Sequence, residues 1–375
     1  MDDCPPSASL EIVSTAFDCG PNPSWVTLVA GSSLLLCADE GLGRPTGFVT
    51  SYQTSSGGVL ALLDRIEVLA GAVAITPYGV GGHGLAVPHY SVSSVSSLSL
   101  SLPLSQQREW TGELQLVQNE TYALEQPPGP DPARQEAPHP HDAILDPTGQ
   151  YLLVPDLGAD LIRVFKVDRE RVTRTPLPPP VVAAPGSGPR HGTFVSAAPG
   201  GVFFYLISEL ANTITGYEVT YGEETLHFDE LFTITTHGEG EDAPEGAAAA
   251  EIQVTPDERF LIVSSRNESS LSIPPFERGG AEIPSDPLIT FRIDQTTGLL
   301  TKIQESPAGG LIPRHFSVSA DGSLVAVGLQ GDDRVVVISR DIETGELGSY
   351  IAHADVEGEV TAVVFDETAT KGSRL

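Results

Sequence analysis

Residues 137–168 read APHPHDAILDPTGQYLLVPDLGADLIRVFKVD. A histidine-led strand runs into an Asp-Pro-Thr-Gly turn, then into an apolar strand ending at Asp156. A short turn and a third strand follow. The Asp, Pro and Gly of the turn each bring their own backbone preference, so the two strands on either side fold back on each other. The plan recurs at 188–219 (GPRHGTFVSAAPGGVFFYLISELANTITGYEV), at 250–273 (AEIQVTPDERFLIVSSRNESSLSI) and at 313–341 (PRHFSVSADGSLVAVGLQGDDRVVVISRD). Asp156 follows His141 by fifteen positions, as Ser265 follows Ala250 and Gln330 follows His315. Glu209 takes the same place after His191 once three extra residues in the intervening turn are allowed. The units start at 141, 191, 250 and 315, so they are 50, 59 and 65 residues apart. Such intervals suit four-stranded propeller blades with insertions.

Working outward, residues 20–53 supply three strands around a GS turn and a glycine loop. Residues 72–102 end in leucines alternating with serines, the period of a half-buried strand. The C-terminal EGEVTAVVFDE is only part of a unit. The expected fold is all-β: a seven-bladed β-propeller of four-stranded antiparallel blades. Its last blade is closed by the N-terminal strand Leu10–Phe17 lying beside 355–366, which leaves neither terminus as an open edge. A β-sandwich would leave the repeated register unexplained. One domain is expected over 1–375, with loop insertions near 103–136, 169–188, 236–248 and 273–287.

Composition agrees. The 375 residues are 40% hydrophobic, with 38 Gly and 31 Pro, and no amphipathic run at helical spacing lasts four turns. A formal charge of −30 argues against nucleic acid or an anionic membrane as partner, since both need basic patches. No apolar run reaches transmembrane length. The N-terminus lacks a signal-peptide pattern, so the cytoplasm is the default expectation, with secretion if a leader has been removed. The three cysteines, Cys4, Cys19 and Cys37, form no disulfide framework; a Cys4–Cys19 bridge and free thiols are both open. Asn119-Glu120-Thr121 and Asn267-Glu268-Ser269 fit the glycosylation pattern.

In a propeller the innermost strands line the central channel, so equivalent positions in different blades converge. Here the inner strands start at His139-Pro140-His141, Arg190-His191, Ala250-Glu251 and Arg314-His315. The second strands end at Asp156, Glu209, Ser265-Arg266 and Gln330. Each has a bland reading beside the functional one. A histidine at a strand start is usually a turn residue, Asp156 serves equally as a loop anchor, and the arginines serve equally in salt bridges. Glu209 and Arg266 resist this reading, because both end apolar strands where an unpartnered charge is costly.

These motifs resemble the lactonase family with a seven-bladed propeller, which includes 6-phosphogluconolactonases and the fungal carboxymuconate cycloisomerase. The resemblance rests on HxxxxDPTGxxLxVPDLGxDxIRVF, the two PRH motifs and AEIxVTPDxRFLxVSSR. It is strong over about 136–345 and looser over 20–125. It implies a pocket where a lactone or carboxylate meets His141, Arg190, Glu209 and Arg266 as catalytic residues. The arginines grip a carboxylate and stabilise developing charge, and His141 or Glu209 moves the proton. His139, Asp156, His191, Glu251, Arg314, His315 and Gln330 are the candidates for substrate binding. No cofactor and no metal are expected, although Asp156, Glu209 and Glu251 are the oxygen ligands a calcium site would draw on.

Three functions follow for a small-molecule substrate or another partner. The first is metal-independent lactone opening or closing by acid–base chemistry. The second, on the same scaffold, is a fungal secondary-metabolism dehydratase and cyclase of hetero-Diels–Alder type, joining a quinone methide to a terpenoid. The third is a non-catalytic protein-binding propeller.

Overall fold

The computed structural model describes residues 10–101, 111–197, 200–223, 225–277 and 279–367. Among them there is no α-helix, only one 3-10 turn at Val80–Gly82. No helix is therefore long and apolar enough to cross a membrane. The strands form six sheets of the expected kind, each a meander of antiparallel neighbours. The described chain falls into two compact units, Val13–Arg190 with residues 366–367, and His191–Phe365 with residues 10–12.

In the first unit, one sheet pairs Pro23–Leu28, Leu34–Asp39, Thr46–Thr54 and Leu60–Leu69. A second pairs Thr76–Tyr78, Gly84–His89, Ser94–Leu100 and Leu114–Thr121. The third is built on the opening stretch: Ile144–Leu145, Tyr151–Asp156, Leu161–Asp168 and Thr173–Pro176, with Val181–Val182 added beside the third strand. Alternating side chains of neighbouring sheets meet face to face. Leu34, Leu36 and Val49 pack on Leu85, Val87 and Leu98; Tyr78, Ala86 and Val95 pack on Leu152, Val154 and Phe165.

The second unit repeats this. Its sheets start with the strands Pro189–Ala197, Ala248–Val254 and Pro313–Val318, and their second strands are Gly201–Ser208, Phe260–Arg266 and Leu324–Leu329. Phe203, Tyr205 and Ile207 pack on Leu261, Val263 and Ile289. Ile262 and Leu288 pack on Val325 and Val327. The turns are held as the sequence suggests. Asp146 accepts the amides of Thr148, Gln150 and Tyr151 at 3.0, 2.8 and 2.7 Å, closing the DPTG turn.

Three expectations need correcting. Leu10–Phe17 is not a strand, and neither is any part of 356–367, so the closure of a seventh sheet by backbone pairing is not formed. Ile12, Val13 and Phe17 are 61%, 65% and 84% exposed while Ala16 packs on the cluster of Cys19, Cys37 and Tyr52, so most of this segment's apolar side chains gain no burial from a strand. Val363 and Phe365 instead pack through side chains on Ala326, Val337 and Ala352. Second, Cys19 is bonded to Cys37, with Cα atoms 5.8 Å apart, which excludes a Cys4–Cys19 bridge; Cys4 lies outside the described residues. The disulfide ties the chain before Pro23 to the second strand of the first sheet. Third, the expected insertion at 169–188 contains the third sheet's outer strand, whose Pro176 is tolerated because it is an edge.

Candidate active site

In the His191–Phe365 unit, the inner strands of three successive sheets bring His191, Glu251 and His315 together. All three are buried, at 2%, 4% and 3% exposure. His191 Nδ1 lies 3.1 Å from Glu251 Oε2, and His315 Nε2 lies 3.6 Å from the same oxygen. The other oxygen, Oε1, accepts the Ile252 amide at 3.0 Å. Val363 N–H donates to His315 Nδ1 at 3.3 Å, so the proton of that ring sits on Nε2, facing Glu251. His191 presents Nδ1–H to the carboxylate, which makes Nε2 its basic nitrogen.

Glu251 reaches this position through a β-bulge. Ala248 and Ala249 pair with Arg266 and Ser265, and then the register slips before Ile252 pairs with Val263. The bulge re-aims one side chain, which is how strands often place a functional group. A similar slip lies between Pro313 and His315.

Arg266 closes the second strand of the same sheet. Its Nε donates to the Ala248 carbonyl at 3.2 Å and its Nη2 to that of Ala249 at 3.0 Å. Nη2 is also 3.2 Å from Glu209 Oε2, an ion pair with both side chains about nine-tenths buried. The guanidinium is thus fixed next to the backbone that leads into Glu251. The loop after it is fixed as well: Asp286 accepts the amides of Asn267, Glu268 and Ser269 at 3.1, 2.8 and 2.7 Å.

Arg266 and Arg314 both line a cavity of about 580 Å³, with Asn267, Gln330, Asp333 and Glu359 on its walls. Gln330 Nε2 donates to Glu359 Oε2 at 2.7 Å. Arg314 is the chain neighbour of His315, so the cavity and the His191–Glu251–His315 chain share one end of the inner strands. Of the residues expected to bind or react, six are therefore linked by contact or by chain here (His191, Glu209, Glu251, Arg266, Arg314 and His315), and Gln330 joins them on the cavity wall.

In the same unit, His237 Nε2 is 3.2 Å from Glu268 Oε2. Burial pulls the His237 imidazole down, but the Glu268 and Glu305 carboxylates together outweigh it and the net shift is upward from the ordinary 6.5. Burial pushes Glu268 up, but His237 together with the Ser265 and Ser270 hydroxyls outweighs that, so it ends below the ordinary 4.5. A raised histidine stabilises the fold fully below 6.5 and loses that contribution as pH climbs through its folded value. A depressed glutamate contributes above 4.5 and loses it as pH falls. The pair is thus at full strength between those two values. In His237→Gln, the decline in the denaturation midpoint above pH 6.5 should become shallower than in the parent protein; an unchanged slope would remove this role from His237.

In the Val13–Arg190 unit, Asp156 is fully buried and its carboxylate is committed to the fold. Oδ2 accepts Arg163 Nε and Nη2 at 2.9 and 2.7 Å, and Oδ1 accepts the amides of His139 and Ala159 at 2.6 and 3.1 Å. Burial pushes this carboxyl up, against the pull of Arg163 and the two amides. With every acceptor direction engaged it anchors a loop. His139 is likewise held, stacked on Tyr90 at 4.2 Å with Nδ1 2.8 Å from the Tyr90 carbonyl. His141, 5% exposed, meets the edge of Tyr90 at 5.7 Å. Arg190 is 1% exposed at the start of the strand that carries His191. A second cleft, about 500 Å³, has largely apolar walls that include Tyr122, Leu161, Phe165 and Leu177. Among the described residues, no group of three His, Cys, Asp or Glu is arranged to hold a metal ion.

The histidine–carboxylate pair escaped the sequence reading as a unit. Its members stood out only as separate positions of the repeat, and a bulge is silent in residue spacing.

The comparisons with known proteins now have a geometry to meet. The family model described as lactonase, 7-bladed beta-propeller, matches residues 5–365. A probable 6-phosphogluconolactonase of Arthroderma benhamiae is 32% identical over 325 residues, 87% of this chain and 75% of that one. A 6-phosphogluconolactonase of Formosa agariphila is 25% identical over 92% of this chain and 88% of its own. Among solved structures, the periplasmic gluconolactonase of Pseudomonas aeruginosa superimposes with a TM-score of 0.72 at 28% identity, covering 91% of this chain and 87% of that one. These relatives are named as enzymes that act on lactones, so the protein is an enzyme and not a bare scaffold. On the family match, which spans nearly its whole length, the chain belongs to the lactonase family of seven-bladed β-propellers.

Proposed function

We propose that the protein hydrolyses an unphosphorylated sugar-type lactone, and that the cavity holding Arg266 and Arg314 is where it does so. The observation that carries this reading is the carboxylate-oriented His191 imidazole in the same unit as a cavity walled by Arg266 and Arg314, the latter adjoining His315, which contacts the same carboxylate. His191 Nε2 takes a proton from water, and the hydroxide oxygen bonds to the lactone carbonyl carbon. The oxyanion so formed is stabilised by an arginine. Collapse breaks the ring C–O bond, and the imidazolium returns its proton to the departing alkoxide. The product carboxylate then faces a guanidinium fork that suits its planar geometry. Glu251 orients the base, and Glu209 orients Arg266.

The choice of an unphosphorylated ring follows from charge. Two arginines share the cavity with Asp333 and Glu359, which suits a neutral lactone opening to a monoanion and leaves little for a phosphate dianion. His141 and Arg190 are proposed as further catalytic residues on the family motif alone. A pH-indicator assay should show a gluconolactone-type δ-lactone opened with a higher kcat/KM than its 6-phosphate. Hydrolysis confined to the phosphorylated lactone would overturn the substrate assignment. The apolar cleft near Tyr122 and Phe165 is the one feature that favours the cyclase reading, since its walls suit a terpenoid-sized ligand. Failure to open any lactone, with binding of an apolar polycyclic ligand there, would move the assignment to that chemistry.

A further inference from the structure

Two features with no part in the reaction point to the same environment. The first is the Cys19–Cys37 disulfide, both cysteines nearly buried, a bond that persists in oxidising compartments and is rare where thiols are kept reduced. The second is the distribution of asparagines. The chain has only four. Asn212 is 9% exposed and bonded to Ala247 and Ala249, and Asn22 is followed by Pro23, which blocks the acceptor pattern. The two exposed ones, Asn119 and Asn267, each begin an Asn-x-Ser/Thr triplet.

Asn119 sits on Leu114–Thr121, the outer edge strand of its sheet. Its Oδ1 accepts the Ser96 hydroxyl at 3.1 Å, which leaves Nδ2 without a bond to the described residues. Leu116 and Val117 on the same strand are 54% and 40% exposed. An uncovered, partly apolar edge is a template for pairing with another chain, and bulk placed on it suppresses that pairing. Asn267, by contrast, lies on the wall of the arginine cavity, in a left-handed conformation (φ 64°) with its amide held by Asp286.

We infer that Asn119 is an N-glycosylation site and that the protein matures on the secretory route. The donor is a lipid-pyrophosphate-linked oligosaccharide. Asn119 Nδ2 attacks the anomeric carbon, the bond from that carbon to the phosphate oxygen breaks, and the amide proton leaves as the lipid pyrophosphate departs. The glycan covers the edge strand.

The test is peptide mapping of the full-length protein purified from the cells that make it and from their medium. Treatment with peptide N-glycosidase in heavy-oxygen water should convert Asn119 to ¹⁸O-labelled aspartate, and the intact mass should fall. Alkylation without reductant should leave Cys19 and Cys37 unmodified. Thr121→Ala should abolish the mass shift and Thr121→Ser should retain it, both folding normally by circular dichroism. An unlabelled Asn119, or Cys19 and Cys37 recovered as free thiols, would overturn the inference whatever the state of Asn267.

Discussion

His191→Ala should lower kcat on the best lactone substrate by about 10²–10⁴-fold, the usual worth of a positioned general base. Glu251→Gln should do nearly the same. A glutamine offers His191 an N–H as readily as a carbonyl, so the ring loses its fixed tautomer and Nε2 is no longer reliably the basic nitrogen. The informative comparison is the double variant. If Glu251 acts only through His191, combining the two substitutions should cost no more than the worse single one, because groups acting as a unit are non-additive. Losses that multiply would mean that the two contribute separately, and the dyad would then have to be abandoned. Both positions are buried, so each variant needs a denaturation curve beside its rate.

Arg266→Ala should strike both chemistry and fold. Losing a guanidinium from the oxyanion should cost about 10²–10³-fold in kcat. The same change takes a cationic partner from the buried Glu209 carboxylate and frees the carbonyls of Ala248 and Ala249. Breaking a buried pair from one side costs about 3–5 kcal/mol. The two effects can be separated. Replacing both partners by neutral residues, as in Glu209→Gln with Arg266→Met, should recover much of the stability, since both charges of this ion pair leave together. It should recover none of the turnover. If activity returned with stability, Arg266 would be a structural residue and the cavity would lose its electrophile.

The fold was legible because the repeat obeys simple rules. Apolar strands alternate, turns carry Asp, Gly and Pro, and the fifteen-residue interval aligned the inner-strand starts with the second-strand ends. That interval located His191, Arg266 and His315, which the structure places around one end of the second unit's strands. It placed Ala250, not Glu251, in register with the histidines, and the bulge between Ala249 and Ile252 is why. An extra residue in one strand shifts every later side chain by one position, and composition does not announce it. Asp156 shows what residue spacing leaves open. A carboxylate at a strand end looks the same in sequence whether it faces a ligand or the amides of its own turn, and here His139, Ala159 and Arg163 claim it. Leu10–Phe17 shows the limit of local propensity. Its residues favour a strand, yet a strand needs a neighbour to bond with, and the sequence of the segment alone does not supply one.

A crystal structure with an aldonic acid, the product of the proposed reaction, tests the central claim most directly. The carboxylate should lie in the cavity between Arg266 and Arg314, with His191 Nε2 facing the carbon that carried the ring oxygen bond. An acid bound elsewhere in the molecule, with this cavity empty at saturating concentration, would contradict the assignment.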